Sequence, residues 1–542
     1  MIYTPALFAA LFYLAGEICL SLNTENSSKP QKFALWFSKA IILLTLILTV
    51  IALIGSVVAI NRNADLFTMG DSTFAKIYII PVTIAGAAGL VILWRYLFKL
   101  TANMSERALR ILCVGLFACF CAVCTVMCIF MKVTPTNDSK HIQDMAKYMM
   151  ENNTYHIDTS KGYFQSYSNN DLLTILMSVF FRIITKCGVS NLSQACIWLN
   201  GVCIASAEIL AFFGVKLLFG LKTACRYLII SVMQPVMYLT VAWSYSNTMC
   251  LPLMCGLFLL GALVYKSKKA AVKCLFGALF GIVAVIGYYI RPVVMFEAIA
   301  FAMFAVLCLI CKKHNAKRLI ACMLVALAVG GAVFAGTSAF INEYGGDNSR
   351  NFPVTHWLMM GLHKYGRFSS KDSAFTRGYP TKEEKKEANI AEIKKSLKEI
   401  GITGMPVHVI TKHCITWSEG SANYYLRAKN IEEENFITSI TVGNGRSYIM
   451  LYCQMFRAAV LFLAAVAMWA QFRLKRIDRS FFPLLTLFGG MVFYIFWEAK
   501  ESYSIPFLFI IVLLAAIGAG HISELKLRKK TTASDDKTVE AK

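Results

Sequence analysis

Asp138 stands a few residues beyond an apolar run, at the head of NDSKHIQDMAKYMMEN in the polar stretch 132–170. A carboxylate placed there meets both lipid headgroups and water. Desolvation would raise its pKa and fit it to take a proton from a hydroxyl as a general base. The same position suits an N-cap of the helix that follows, and residue chemistry alone leaves both roles open. Asp144 and Asp158 read as solvated surface acids. Arg291, followed by Pro292, lies between two apolar runs. A guanidinium at that boundary suits bidentate capture of a phosphate, and equally plain snorkelling to the interface. Glu498 and Lys500 in WEAK pair with each other or face a site, since ionisable groups at a membrane boundary are functional candidates. His356 in PVTHWLMMGLHKYG is a further candidate, against the commoner structural role of a lone histidine.

The chain carries no Walker A loop, GxGxxG unit, HExxH, GxSxG or spaced Cys/His set. It therefore shows no ATP-binding engine and no soluble nucleotide-sugar domain. A membrane transferase built this way would draw on an activated substrate already in the lipid.

These residues must be positioned by membrane spans. Hydrophobic residues make up 57% of the chain and charged residues only 16%, with repeated apolar runs. Each run has about the length that crosses a bilayer. Thirteen spans are expected, at 5–22, 34–60, 74–98, 109–131, 194–215, 225–243, 248–265, 273–290, 293–311, 319–340, 448–470, 480–497 and 504–520. The first lacks a basic n-region and a clear cleavage site, so it reads as a retained span. The net charge of +23 is spread in short clusters between runs, as retention signals for cytoplasmic loops are. Nucleic-acid binding would need that charge gathered on one face. Most of the eighteen cysteines lie inside apolar runs, where thiols pack as small hydrophobes. Cys121, Cys124 and Cys128 share a helical face, but no His or carboxylate joins them to make a metal site.

Charge settles the topology better than hydropathy does. The segment 171–187 carries Arg182 and Lys186 and is short for a span. If it does not cross, the basic clusters at 29–32, 99–110, 216–226, 266–273, 312–318 and 473–479 all fall on one side, the cytoplasm. The segment is then a juxtamembrane or re-entrant helix of the outer leaflet, with the N-terminus outside and the C-terminus inside. The expected organisation is 1–108, additional N-terminal spans; 109–340, a core bundle with an extracytoplasmic loop at 132–193; 341–447, an extracytoplasmic loop domain; 448–520, the C-terminal spans; and 521–542, a disordered cytoplasmic tail. Within 341–447, Thr381 and Glu384 form a capping box. The helix it opens carries Ile390, Ile393, Leu397 and Ile400 at helical spacing and closes at Gly401. So narrow an apolar stripe fits a helix on the membrane surface or a lid over the bundle. A second helix, 406–417, brings Lys412 and His413 near the interface.

On this topology NDSKHIQDMAKYM, YFQSYSNNDLLTILMSVFFRI, AWSYSNTMCLP, YYIRPVVMFEAIA, FPVTHWLMMGLHKYGRF and FWEAKESYSIPF follow one another from about residue 130 to 510. Together they resemble the GT-C superfamily of integral-membrane glycosyltransferases, relatives of protein O-mannosyltransferases and aminoarabinose transferases, in a version seen in Gram-positive bacteria. The resemblance implies an all-α polytopic bundle in a bacterial cell membrane with its active site outside. It implies a polyprenyl-phosphate sugar donor, and an acceptor that is a cell-wall glycan, a lipid or a protein. Asp138 takes the place of the general base, Arg291 that of the donor phosphate clamp, with Lys500, Arg446 or Lys412 as helpers. Tyr163, Tyr167, Asn169, Asn170, Asn247, His356 and Glu498 are the expected substrate contacts. No cofactor is expected, metal dependence stays open, and a donor-lipid synthase and a flippase are implied partners. Three positions depart from the pattern: Ser168 where a proline is usual, Asn247 where Asp is frequent, and Ser139 where O-mannosyltransferases carry a second acid. Two other functions share the composition. A surface-polysaccharide polymerase or ligase would use a diphosphate-linked donor, and a lipid-linked-glycan transporter would show broken helices and inverted repeats.

Overall fold

The computed structural model describes residues 28–58, 73–159, 162–312 and 314–522. The expected span 5–22 and nearly all of the tail 521–542 lie outside the described residues. Among those described, every regular element is a helix; the one extended pairing is a bridge between Val133 and Ile431. Ten helices are long and apolar enough to cross a membrane. They are α1 (Lys29–Val58), α2 (Ile79–Ala102), α3 (Glu106–Phe130), α6 (Leu192–Phe219), α9 (Ser246–Lys266), α10 (Ala270–Ile290), α11 (Pro292–Ile310), α12 (Ala316–Tyr344), α16 (Arg446–Phe472) and α18 (Glu501–Ile522). The expected span 480–497 is the shorter apolar helix α17 (Phe481–Phe496).

The remaining expected span, 225–243, is not one helix. It is α7 (Leu221–Val232), then a short helix α8 (Pro235–Leu239), then unwound chain to Tyr245. Gln234 precedes Pro235, which has no N–H and disfavours the helical conformation of the residue before it, so the break falls there. Hydropathy missed it because the residues from Val236 to Trp243 are buried and, Thr240 apart, apolar. Buried carbonyls without helical partners need others. Asn200 of α6 supplies them: its side-chain NH2 donates to the carbonyls of Thr240 (2.9 Å), Val241 (2.8 Å) and Trp243 (3.3 Å).

Residues 171–187 do form a separate helix, α5 (Asp171–Lys186), packed on α4 (Asn137–Glu151). Arg182 closes that pair by donating to Asn153 Oδ1 and to the carbonyls of Met149 and Thr154, each at 2.7 Å. In the long loop, α13 (Val354–Met360) and α14 (Ser370–Arg377) precede α15 (Lys382–Trp417). The Thr381–Glu384 capping box is present, and Gly401 at φ 63° breaks α15 where the first helix was expected to close. The two halves of α15 pack differently. Its first half buries Lys385, Asn389 and Ser396, while Leu397 stays exposed. Hydrogen bonds to α13 and α14 hold it there, and they outweigh the narrow apolar stripe. Its second half enters the bundle: His413 Nε2 donates to the Leu48 carbonyl of α1 (2.9 Å), and Trp417 packs against Tyr494 and Phe507. It is wedged into the bundle, and α1 and α2 pack on α16 beside it.

Small residues bring α10 and α12 close, as they do between helices in lipid. A Cβ on Gly281 would lie 2.3 Å from the Ala326 carbonyl, and one on Gly277 2.8 Å from that of Cys322. The contact fixes the helix that ends at Arg291. Gly281→Leu should therefore lower the melting temperature in detergent by several degrees, whereas Gly331→Leu, with no atom within 4 Å of its Cβ position, should leave it within about a degree. Equal losses would contradict this packing.

Candidate active site

α4 begins after Thr136, which is its N-cap residue and makes no side-chain cap bond; Asp138 lies in the first turn. The N-cap role weighed for Asp138 is thus not the one it has. Half-buried, it gains instead from the positive end of the helix. The next residue fastens this turn to the unwound segment, Ser139 Oγ donating to the Ser244 carbonyl at 2.7 Å.

Three tyrosines from two stretches of the chain lie near Asp138. Tyr163 stacks on His141 at 4.6 Å and on Tyr167 at 4.8 Å, and its hydroxyl accepts from Asn170 Nδ2 at 2.7 Å. Burial pushes the Tyr163 phenol well above its ordinary range, and the neighbouring Tyr245 and Asp138 push it further. Tyr245, at the end of the unwound segment, is likewise raised by burial and then by Asp138, with Arg291 pulling the other way. Asp138 and Arg291 therefore both act electrostatically on that phenol. Tyr167 is raised by burial, lowered by a hydrogen bond with Ser373 and by Arg377, and raised again by Asp138 and Glu498.

The arginine side is built from the ends of α10, α17 and α18. Arg291 donates to Ser246 Oγ at 2.9 Å and lies 5.4 Å from the centre of the Tyr503 ring. Tyr503 stacks on Tyr494 at 5.1 Å and donates to Glu498 Oε2 at 2.5 Å. Lys500 sits 3.7 Å from Glu498 and 5.7 Å from the Tyr503 ring centre. Asn247 donates to the Ser502 carbonyl at 3.0 Å, tying the two turns together. Several buried polar atoms here have no hydrogen-bond partner in the protein: Arg291 Nε, Asn247 Oδ1, Ser502 Oγ and Ser244 Oγ. Buried orphan groups are uncommon, and their concentration marks a place built for a polar visitor.

Asp138, Tyr163, Tyr167, Asn170, Asn247, Arg291, Glu498 and Lys500 thus meet at one end of the bundle, opposite the basic turns. Asn169 is exposed, turned from this cluster. His356 stands behind it, bonded to Thr376 Oγ1 at 2.8 Å and 4.2 Å from the Phe352 ring, which in turn meets Tyr167. Arg446 lies over the Tyr425 ring at 3.9 Å, while Arg427, on the same short helix as Tyr425, lies over Trp243 at 5.1 Å. Lys412 is buried and donates to the carbonyls of Gly361 (2.6 Å) and Ile495 (2.9 Å), so its ammonium anchors the wedge. Sequence reasoning passed over Tyr245 and Tyr503, although both stand within three residues of a chosen polar residue. It also passed over Asp171, whose buried carboxyl is pushed up to about 7 against a hydrogen bond from the Gly346 N–H. Among the described residues no group of three or more His, Cys, Asp or Glu could hold a metal ion.

Residues 33–522 match the family described as "Conserved hypothetical integral membrane protein". The chain belongs to that family. This integral membrane protein is also similar to solved structures of the oligosaccharyltransferase of Archaeoglobus fulgidus. One, tethered to an acceptor peptide, shares 12% identity at a TM-score of 0.41, over 74% of this chain and 49% of that one. A second, AglB with an inhibitory peptide and a dolichol-phosphate, shares 11% at 0.37 over 77% and 52%. The chain thus spans about half the length of those chains. ArnT from Cupriavidus metallidurans is similar at 11% identity and a TM-score of 0.31, over 75% of this chain and 77% of that one. No curated protein matches.

Burial pulls His356 down to about 4, with Asp372 opposing and Arg377 assisting. Its ring is neutral in the fold but takes a proton below about 6.5 in the unfolded chain. Between those values the unfolded state binds more protons, so the stability tied to this residue is present above about 6.5 and is lost as pH falls towards 4. Melting temperatures over that window should fall more steeply for the wild type than for His356→Asn. Parallel slopes would contradict a buried neutral ring.

Proposed function

We propose that this protein is a glycosyltransferase that moves a sugar from a polyprenyl-phosphate donor to an acceptor hydroxyl at the bundle end opposite the basic turns. The observation that carries the reading is convergence. Five of the six stretches on which the resemblance to GT-C enzymes rests, far apart in sequence, contribute side chains to one cluster: Asp138, Tyr163 and Asn170, Tyr245 and Asn247, Arg291, and Glu498 with Tyr503.

In this reading Asp138 accepts the acceptor's proton as its oxygen attacks the anomeric carbon. The bond from that carbon to the lipid phosphate breaks, and the leaving phosphate gathers charge beside Arg291 and Lys500. Tyr245 separates the two functions, so base and clamp can bracket one sugar ring. Asp138 is favoured over Asp171 because the phenols of Tyr163, Tyr167 and Tyr245 all sense Asp138, while Asp171 is bonded to the Gly346 N–H. The acceptor is a cell-wall polymer, glycolipid or protein on the outer side of a bacterial cell membrane, and the donor is supplied by a separate synthase and flippase.

The transporter reading draws on the break at 233–245. The gathering of these polar groups at one end of the bundle favours the transferase. Purified protein with a short-chain polyprenyl-phosphate hexose should consume the donor. Asp138→Asn should slow this by about 100-fold or more, and Asp171→Asn by less than about tenfold. Undiminished turnover in Asp138→Asn would overturn the assignment.

A further inference from the structure

A second set of groups lies in the loop layer, around α14 and the first half of α15. Ser396 Oγ is 2.9 Å from His363 Nε2, and His363 Nδ1 is 2.9 Å from Asp372 Oδ1. A hydroxyl bonded to an imidazole whose other nitrogen is held by a buried carboxylate is the arrangement that turns serine into a nucleophile. The three residues come from three elements, the α13–α14 connection, α14 and α15, so the alignment is a product of the tertiary fold. All three line a cavity of about 380 Å³, within the size range of small-molecule sites. Leu362 and Ile400 give it an apolar side, and Lys364 and Lys371 a cationic one.

The histidine is held by a strained turn. Lys364 and Tyr365, directly after it, have φ of 42° and 56°, left-handed values that side chains with a Cβ adopt at a cost. The turn is pinned to the bundle: the Ala499 N–H donates to the Gly366 carbonyl at 2.7 Å, and Arg367 pairs with Glu501 at 2.8 Å. Asp372 raises the basicity of His363; Glu392, 3.7 Å from Nε2, acts in the same direction and Lys395 against it.

We propose that Ser396, His363 and Asp372 form a second reaction centre that cleaves small carboxylic esters carrying a negatively charged or hydroxyl-rich alcohol part. Ser396 Oγ adds to the ester carbonyl while its proton passes to His363 Nε2. The carbon–oxygen bond to the alcohol breaks, and the alcohol leaves with that proton. Water then adds to the acyl-serine, giving its proton to Nε2; the acid departs and Ser396 recovers the proton. The first-turn N–H groups of α14 and the ammonium groups of Lys364 and Lys371 provide positive charge for the developing alkoxide. Nothing in this centre depends on Asp138.

The test uses the full chain in detergent with a fluorophosphonate probe and peptide mass spectrometry. The expected result is a covalent adduct on Ser396, absent in Ser396→Ala and slowed at least about tenfold in His363→Gln and Asp372→Asn. Labelling should rise with pH as His363 deprotonates, with its midpoint above about 6.5 because Asp372 holds the proton on the ring. The His363→Gln protein must lose this midpoint. No adduct on Ser396 in the wild type, or an adduct formed at equal rate in His363→Gln, overturns the proposal whatever the variants do to folding.

Discussion

Three hydrogen bonds from one side chain hold open the part of this bundle where chemistry can occur. In a bilayer, backbone that leaves a helix must find other partners or refold. Asn200 meets that demand for the carbonyls of Thr240, Val241 and Trp243. The segment can then stay unwound and carry Tyr245, Ser246 and Asn247 inward from the bundle end. Ser139 fastens Asp138 to the same segment, Ser246 receives Arg291, and Asn247 takes the carbonyl of Ser502. Remove the unwound chain and these three attachments have no common support.

The loop layer solves a related problem. A connection of this length over a membrane bundle gains little from apolar burial, because its apolar residues can face lipid. It is joined instead by polar contacts between short helices, such as His356 with Thr376, Thr376 with Asn389 and His363 with Asp372 and Ser396. Its far end is driven into the bundle as the Ile402–Trp417 half of α15, anchored by Lys412 and His413 on backbone carbonyls. The buried charge there makes the loop a fixed wall of the candidate site.

Much of this was legible in the sequence where one physical rule dominated. Apolar length marked ten helices long enough to cross, and Thr381, Glu384 and Gly401 marked the start and break of α15. What escaped was set by tertiary contacts. The break at Gln234–Pro235 hides within apolar residues, and only Asn200, far away in sequence, explains why it persists. The buried face of α15 is polar because its partners Thr355, Thr376 and His363 are polar, which no periodicity reveals. Nothing in the sequence marks Tyr503 as the ring between Arg291 and Glu498, which only the meeting of α10, α17 and α18 brings together.

The central claim is that Asp138 and Arg291 bracket one lipid-linked sugar, with Tyr245 between them. An experimental structure of the protein with a short-chain polyprenyl-phosphate hexose tests it most directly. The account predicts the phosphate on Arg291 and the sugar within hydrogen-bonding reach of Asp138, at most about 10 Å from the guanidinium. A phosphate bound elsewhere, or a sugar that Asp138 cannot reach, would contradict it.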